Sequence, residues 1–213
     1  MSTPKSSASP VVVLGDLIGS RRVADRAHLH DRLTHALEDA NQRWGTELRV
    51  SVGDEYQGTV PSLGVATSVA LGVRLALLPA HDVRHGIARG ATVVVDAATG
   101  IQDGPGWWGA RDAIDAAEER AGRAATRSSR TTYVATDPAE DPRAVNAALL
   151  ARDELVGRLD ERSLSVLRGL IAGRTQREIA AELGVSASAV SQRVRHDALG
   201  VVLTMTEWME ELA

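Results

Sequence analysis

The spacing of apolar positions changes several times along the chain, and each change marks an element. Val11–Ile18 is a short β-branched run with Gly15 and Gly19 close by, which predicts a buried strand. After Asp25, a candidate N-cap, Leu29, Leu33, Leu37, Ala40 and Trp44 recur at steps of three and four and predict an amphipathic helix. Leu48, Val50 and Val52 alternate, Gly53-Asp54 signals a turn, and Tyr56–Val60 follows, so this stretch predicts a β-hairpin. Pro61-Ser62 opens a second helix over about Leu63–Leu78, which Pro79 ends. Val83–Asp96 reads as strand broken at Gly86 and Gly90. Gly104–Gly109 reads as a glycine-rich loop, about Ala110–Ala125 as a helix, and Thr131–Ala135 as a closing strand.

The order β-α-β-β-α-β-α-β is most economically an antiparallel sheet with helices on one face, an α+β layer of ferredoxin-like kind spanning 11–137. Residues 1–10, rich in Ser and Pro, read as a disordered tail. Asp137–Pro142 carries two prolines and no periodicity, so it is the candidate linker. The rest, 143–213, reads as an all-α domain.

That domain contains a helix-turn-helix pattern. Leu164, Leu167, Leu170 and Ile171 form one face of a helix that Gly173 ends. Thr175 with Glu178 three residues on makes a capping box for a helix Gln176–Leu183, expected to bury Ile179, Ala180 and Leu183. Gly184 supplies the turn, Val185 is expected to plug the core, and Ser186 caps a second helix whose inward stripe is Ala189, Val190 and Val194. Its outward side offers Ser186, Ser188, Ser191 and Gln192 to base edges, while Arg174, Thr175, Arg177, Arg193 and Arg195 are candidates for phosphate contacts on double-stranded DNA. The stretch TQREIAAELGVSASAVSQRVR, 175–195, resembles the helix-turn-helix of sigma-factor region 4 and LuxR-type regulators. The alternative is a bundle used for protein contact alone. After it, Val202, Met205, Trp208, Met209 and Leu212 share a helical face, either a cap on the domain or a seam of a homodimer.

Composition narrows the classes. The 213 residues carry 24 Lys and Arg against 28 Asp and Glu, a formal charge of -4, so any DNA contact must come from a local basic patch. There is no cysteine, which removes disulfides and thiolate metal sites and fits a cytoplasmic location. No apolar run is long enough for a membrane span, and Val11–Leu14 is too short for a signal-peptide core. Aromatics at 3% disfavour a stacking platform for single strands.

Two acidic motifs carry the candidate chemistry. GDLIGSRR, 15–22, ends a strand, and VGDEYQG, 52–58, sits at a hairpin tip. If those strands are neighbours, Asp16 and Asp54 approach each other and repel unless a cation or a proton intervenes. Mg²⁺ takes one or two carboxylates plus substrate phosphates, so the pair is a candidate metal site. Backbone N–H groups at Gly19 and Ser20, at the start of a helix, are candidates to cradle phosphate oxygens, with Arg21 adding charge. Glu55 is a third candidate, which strand alternation turns away from the pair. Trp107-Trp108 either covers the sheet, lies in a dimer interface or closes over a base, with Trp108 and Arg111 as ligand-binding candidates. His28, His30 and His35 are expected to be solvated.

This layout is similar to the class III nucleotide cyclase domain, where a first-strand Asp and a hairpin Gly-Asp hold metals that bind nucleotide phosphates. GIARG at 86–90 and Gly109 with AIDAAEERA at 113–121 echo it in order. The position of that family's base-reading Lys holds Val50, and those of its transition-state Asn and Arg hold Asp115 and Glu119. An acidic Glu119 cannot stabilise developing phosphate charge. The whole chain looks still more like the SatD family, with its GD-x-x-GS start, its GDE-[FY]-QG hairpin and a terminal helix-turn-helix. The expectation is a DNA-binding regulator whose first domain binds a nucleotide or other phosphate ligand with Mg²⁺. The alternative is a divergent nucleotidyl cyclase or phosphotransferase using Asp16 and Asp54.

Overall fold

The computed structural model describes residues 9–51 and 53–213; residues 1–8 of the expected tail, and Val52 of the expected alternation, lie outside them. The chain opens with β1 (Val11–Leu17), a single 3-10 turn at Ser20–Arg22, and α1 (Arg26–Trp44), whose Asp25 side chain accepts the His28 N–H. β2 (Arg49–Val50), β3 (Glu55–Val60), α2 (Leu63–Leu77) and β4 (Val83–Arg89) follow. Antiparallel pairing of β1 with β3 and β4, and of β2 with β3, gives the ferredoxin-like βαββαβ core.

The Val83–Asp96 region holds two strands. β4 runs unbroken through Gly86, and β5 (Val93–Asp96) turns back to pair with β6 (Ile101–Asp103) in a separate two-stranded sheet. Gly86 is no breaker: a Cβ there would stand 2.0 Å from the Ala110 carbonyl oxygen, because a helix lies directly on the strand. That helix is α3 (Pro105–Ala121), which begins five residues before the expected start, so the glycine-rich stretch is its first turn and not a loop. Pro105 takes the N1 position, where no N–H is needed, and Gly104 at φ 122 enters it. Close packing on β4 outweighs the helix penalty of Gly106 and Gly109.

β7 (Thr131–Ala135) pairs parallel to β4 and completes the sheet order β2-β3-β1-β4-β7, so the sheet is antiparallel only in the main. The α3 crossover explains it, since parallel neighbours need a connection of this length. The helices cover both faces of the sheet, not one. Val11, Val13 and Leu17 of β1 pack with α1 and α2, whereas Val12 and Leu14 pack with Ala110 and Ile114 of α3. A strand apolar on both sides requires cover on both.

Five helices follow: α4 (Arg143–Gly157), α5 (Glu161–Ile171), α6 (Gln176–Leu183), α7 (Ala187–His196) and α8 (Leu199–Glu210). Leu164, Leu167, Ile179, Ala180, Val190, Leu199 and Val202 form their core, together with Leu71 and Leu75 of α2. Leu149 of α4 and Met209 of α8 belong to the core of the sheet layer. Arg168 of α5 donates to the carbonyl oxygens of Leu75 and Leu78, and Arg43 of α1 to that of Ile171. The helical tail is thus seated on α1 and α2. Leu183 and Val185, expected inside, are 39% and 41% exposed. Ile179, admitted by Gly169 of α5, and Ala180 already fill the seam. On the last helix Val202 and Met209 are buried and Trp208 is exposed. Among the described residues no helix is long and apolar enough to cross a membrane.

Candidate functional site: an acidic groove and an exposed polar helix

Cross-strand partners share a face, and the register places Asp16 between Glu55 on β3 and Arg84 on β4. Glu55 is therefore not turned away: it stands beside Asp16 on the face that α3 covers. The next row along the same face is Gln57, Leu14 and Gly86. α3 packs on β4, β7 and β1, which leaves the β3 side of this face as a groove.

The carboxylates have partners within the protein. Arg84 donates to Asp16 Oδ2 at 3.3 Å and reaches Glu118 at 3.1 Å. Arg111 holds Glu55 in a two-bond fork at 2.9 and 3.2 Å. Asp54 lies in the turn before β3 and accepts from the buried Ser20 hydroxyl. Half-burial pushes the Asp16 pKa above its ordinary value, Asp54 adds to that, and Arg84 opposes it. The fork to Glu55 is the chief reason that Arg111 is held more firmly in its charged form.

Asp16 and Asp54 thus come within mutual electrostatic reach, as their motifs suggested. Ser20 and Gly19 are placed differently from expectation. They begin one 3-10 turn in which the Arg22 N–H returns to the Gly19 carbonyl, not a long helix, and the Ser20 hydroxyl is spent on Asp54. Arg21 is exposed on that turn. Among the described residues, no group of three or more His, Cys, Asp or Glu side chains converges as a metal centre. The oxygen-only pair Asp16 and Asp54, with its mutual repulsion, still suits a hard cation that brings phosphate oxygens of its own. Sequence reasoning missed Arg84, Gln57 and Gln102. Alternation back from Asp16 and Glu55 already puts Leu14 and Gln57 on their face, which was the usable signal for Gln57.

The second feature lies in the C-terminal helices. The Thr175 hydroxyl accepts the Glu178 N–H at 3.3 Å and the Glu178 carboxylate accepts the Thr175 N–H at 2.8 Å, closing the capping box of α6. Gly184 turns left-handed, and Ser186 accepts the Ala189 N–H at 3.1 Å to start α7. Val190 is buried, whereas Ser186, Ser188, Gln192 and Arg195 are exposed, Ser191 is half-buried and Arg177 is exposed on α6. Two of the expected phosphate contacts are otherwise engaged. Arg193 folds back on Asp160 at 3.0 Å and Ser163 at 2.7 Å, and Arg174 pairs with Glu182. Asp160 is held down to about 2, chiefly by the Ser163 N–H and hydroxyl, with Arg193 adding to them.

A model of the SatD family matches residues 10–212. No curated protein matches the chain. Among solved structures, the dimeric guanylyl cyclase domain of the RhoGC fusion protein from Blastocladiella emersonii is 17% identical with a TM-score of 0.42, covering 51% of this chain and 74% of its own. The guanylate cyclase domain of RhGC from Catenaria anguillulae in complex with GTP is 18% identical with a TM-score of 0.41, covering 51% and 73%. The adenylyl cyclase CyaB from P. aeruginosa is 17% identical with a TM-score of 0.40, covering 51% and 72%.

Proposed function

The chain belongs to the SatD family, and on that premise we propose that it is a DNA-reading regulator whose sheet layer binds a phosphate-bearing nucleotide with Mg²⁺. The observation that carries the reading is the two-sidedness of α7. Its apolar side, through Val190, closes the helical core, and its outward side keeps Ser186, Ser188, Gln192 and Arg195 in solvent after a tight turn. That disposition suits a helix entered into a major groove, with short polar groups and a carboxamide at base edges and Arg195 and Arg177 at phosphates. A homodimer placing two such helices on paired half-sites completes the reading.

In the groove, Asp16 and Asp54 would hold the metal, which would neutralise phosphate charge. Around it this chain's own groups do the rest. Ser20 fixes the Asp54 carboxylate, Arg84 fixes that of Asp16, and Arg111 steadies Glu55. Binding there changes DNA affinity only to the extent that the ligand prefers one placement of α5–α7 over another.

The test is anisotropy titration of the full chain against a duplex selected from a random-sequence pool, at several salt concentrations. Arg195→Ala is expected to weaken binding and lower the salt slope by about 1, and Gln192→Ala to reduce preference for the selected sequence. Selection that yields no preferred duplex, or binding that both substitutions leave unchanged, contradicts the reading. Turnover of a nucleoside triphosphate that requires Asp16 and Asp54 would instead assign the groove to phosphoryl chemistry.

A further inference from the structure

Beside the carboxylates, on the same face of the sheet, lies a pocket of about 450 Å³ lined by Leu14, Gln57, Gln102, Trp107, Trp108 and Arg111, a size typical of small-molecule sites. Its walls are chemically distinct. Leu14, buried, is an apolar floor. One cross-strand neighbour of Leu14 is Gly86, which has no side chain and lies under α3; the other is Gln57. The floor is therefore flanked by a carboxamide on its β3 side, and Gln102 of β6 adds another.

Trp108 is 59% exposed, with its ring at the mouth of the pocket. The indole N–H donates to Asp103 Oδ1 at 2.7 Å, which pins the ring at the pocket. An aromatic face held in place in solvent is a ready stacking surface, and stacking costs little when the ring is fixed beforehand. Arg111, three residues on along α3, joins this pocket to Glu55 and so to Asp16. From Leu14 in the pocket floor to Asp16, β1 advances ~7 Å along the same face. An aromatic slot at one end and carboxylates at the other match the order of base and phosphates in a nucleotide.

Resting on the reading of the groove as a nucleotide site, we infer that this pocket holds the base of a purine nucleotide, stacked on Trp108 with the Gln57 carboxamide at its polar edge. A carboxamide presents a donor and an acceptor together, the pattern that pairs in two bonds with a purine edge. The broad indole face of Trp108 offers stacking area for a two-ring base, and Trp107, packed on the core beside it, adds apolar wall.

Isothermal titration of the full chain with Mg²⁺ tests this, using ATP, GTP, CTP, inorganic tripolyphosphate and the nucleosides adenosine and guanosine. ATP or GTP is expected to bind on the order of tenfold tighter than tripolyphosphate, and tighter than CTP. Trp108→Ala and Gln57→Leu are each expected to remove most of that advantage while leaving tripolyphosphate binding unchanged. Equal affinity for tripolyphosphate and both purine triphosphates, or purine binding that neither substitution weakens, overturns the base slot and leaves the phosphate site standing. Nucleoside binding that Trp108→Ala abolishes, without tripolyphosphate binding, upholds the slot and removes the phosphate site. Absence of binding by every probe overturns both.

Discussion

His85 sits at the centre of the sheet on β4, fully buried, with its ring edge-on to Tyr56 at 5.9 Å. Among the described residues neither ring nitrogen has a hydrogen-bond partner. Burial pushes its pKa down to about 3, Arg74 and Arg152 push the same way, and Asp82 opposes them. An unfolded chain takes up the proton near pH 6.5. Between about pH 6.5 and about 3 the unfolded state therefore binds a proton that the folded state refuses, and acidification through that window favours unfolding. This group alone contributes a slope of up to about 1.4 kcal/mol per pH unit there, and none above it. Denaturant melts at pH 7 and pH 4 check the sign: His85→Gln is expected to narrow the gap between the two midpoints, and an unchanged gap contradicts the assignment. The same residue shows a limit of sequence reading. Nothing in the local pattern marks His85, because its burial depends on α2 closing over β4. The acidic motifs were legible one by one, Asp16 at the end of a β-branched strand and Asp54 at a hairpin tip, but their approach depended on β1 pairing with β3. Arg84 needed the register of β1 against β4, which no local pattern states.

At the scale of elements, legibility follows the range of the forces. α1, α2, α6 and α7 begin at Asp25, Ser62, Thr175 and Ser186, and each of those side chains accepts a backbone N–H three residues on. Caps are local chemistry, so those starts could be read directly. The start of α3 could not, since Gly106 and Gly109 disfavour helix alone and only contact with β4 and β1 repays them. The parallel placement of β7 is likewise a product of how α3 crosses the sheet. Arg193 is another case where tertiary structure redirects a side chain, from solvent to Asp160, Ser163 and Asp197. It ties α7 to the start of α5. Arg193→Ala is expected to lower stability by about 0.5–1 kcal/mol in urea melts, the modest loss proper to a part-exposed ion pair. DNA affinity per folded molecule should hardly change. A tenfold drop in affinity without loss of stability would return Arg193 to the DNA face.

Taken as a whole, the molecule joins the acidic groove on one face of the sheet to helices seated on those of the other face, which on the proposed reading are a ligand site and a DNA reader. The connection is physical. β1 carries Asp16 and Leu14 toward the groove and Val13 and Leu17 toward α1 and α2, and α2 in turn shares a core with α5 through Leu71, Leu75 and Leu167. A buried ion pair of Arg74 with Asp153 and a part-buried one with Asp82 fasten α2 to α4 and to the residue that leads into β4. A ligand that shifts β1 against α3 has a packed route to the placement of α7, and couplings of this kind commonly change affinity about 5- to 150-fold. The most direct measurement is the affinity of the full chain for its selected duplex with and without a saturating purine triphosphate and Mg²⁺, in the native protein and in Asp16→Asn/Asp54→Asn. The account predicts a shift of at least about fivefold in the native protein and none in the double variant. Duplex affinity that is indifferent to nucleotide, or a shift that survives loss of both carboxylates, would contradict it.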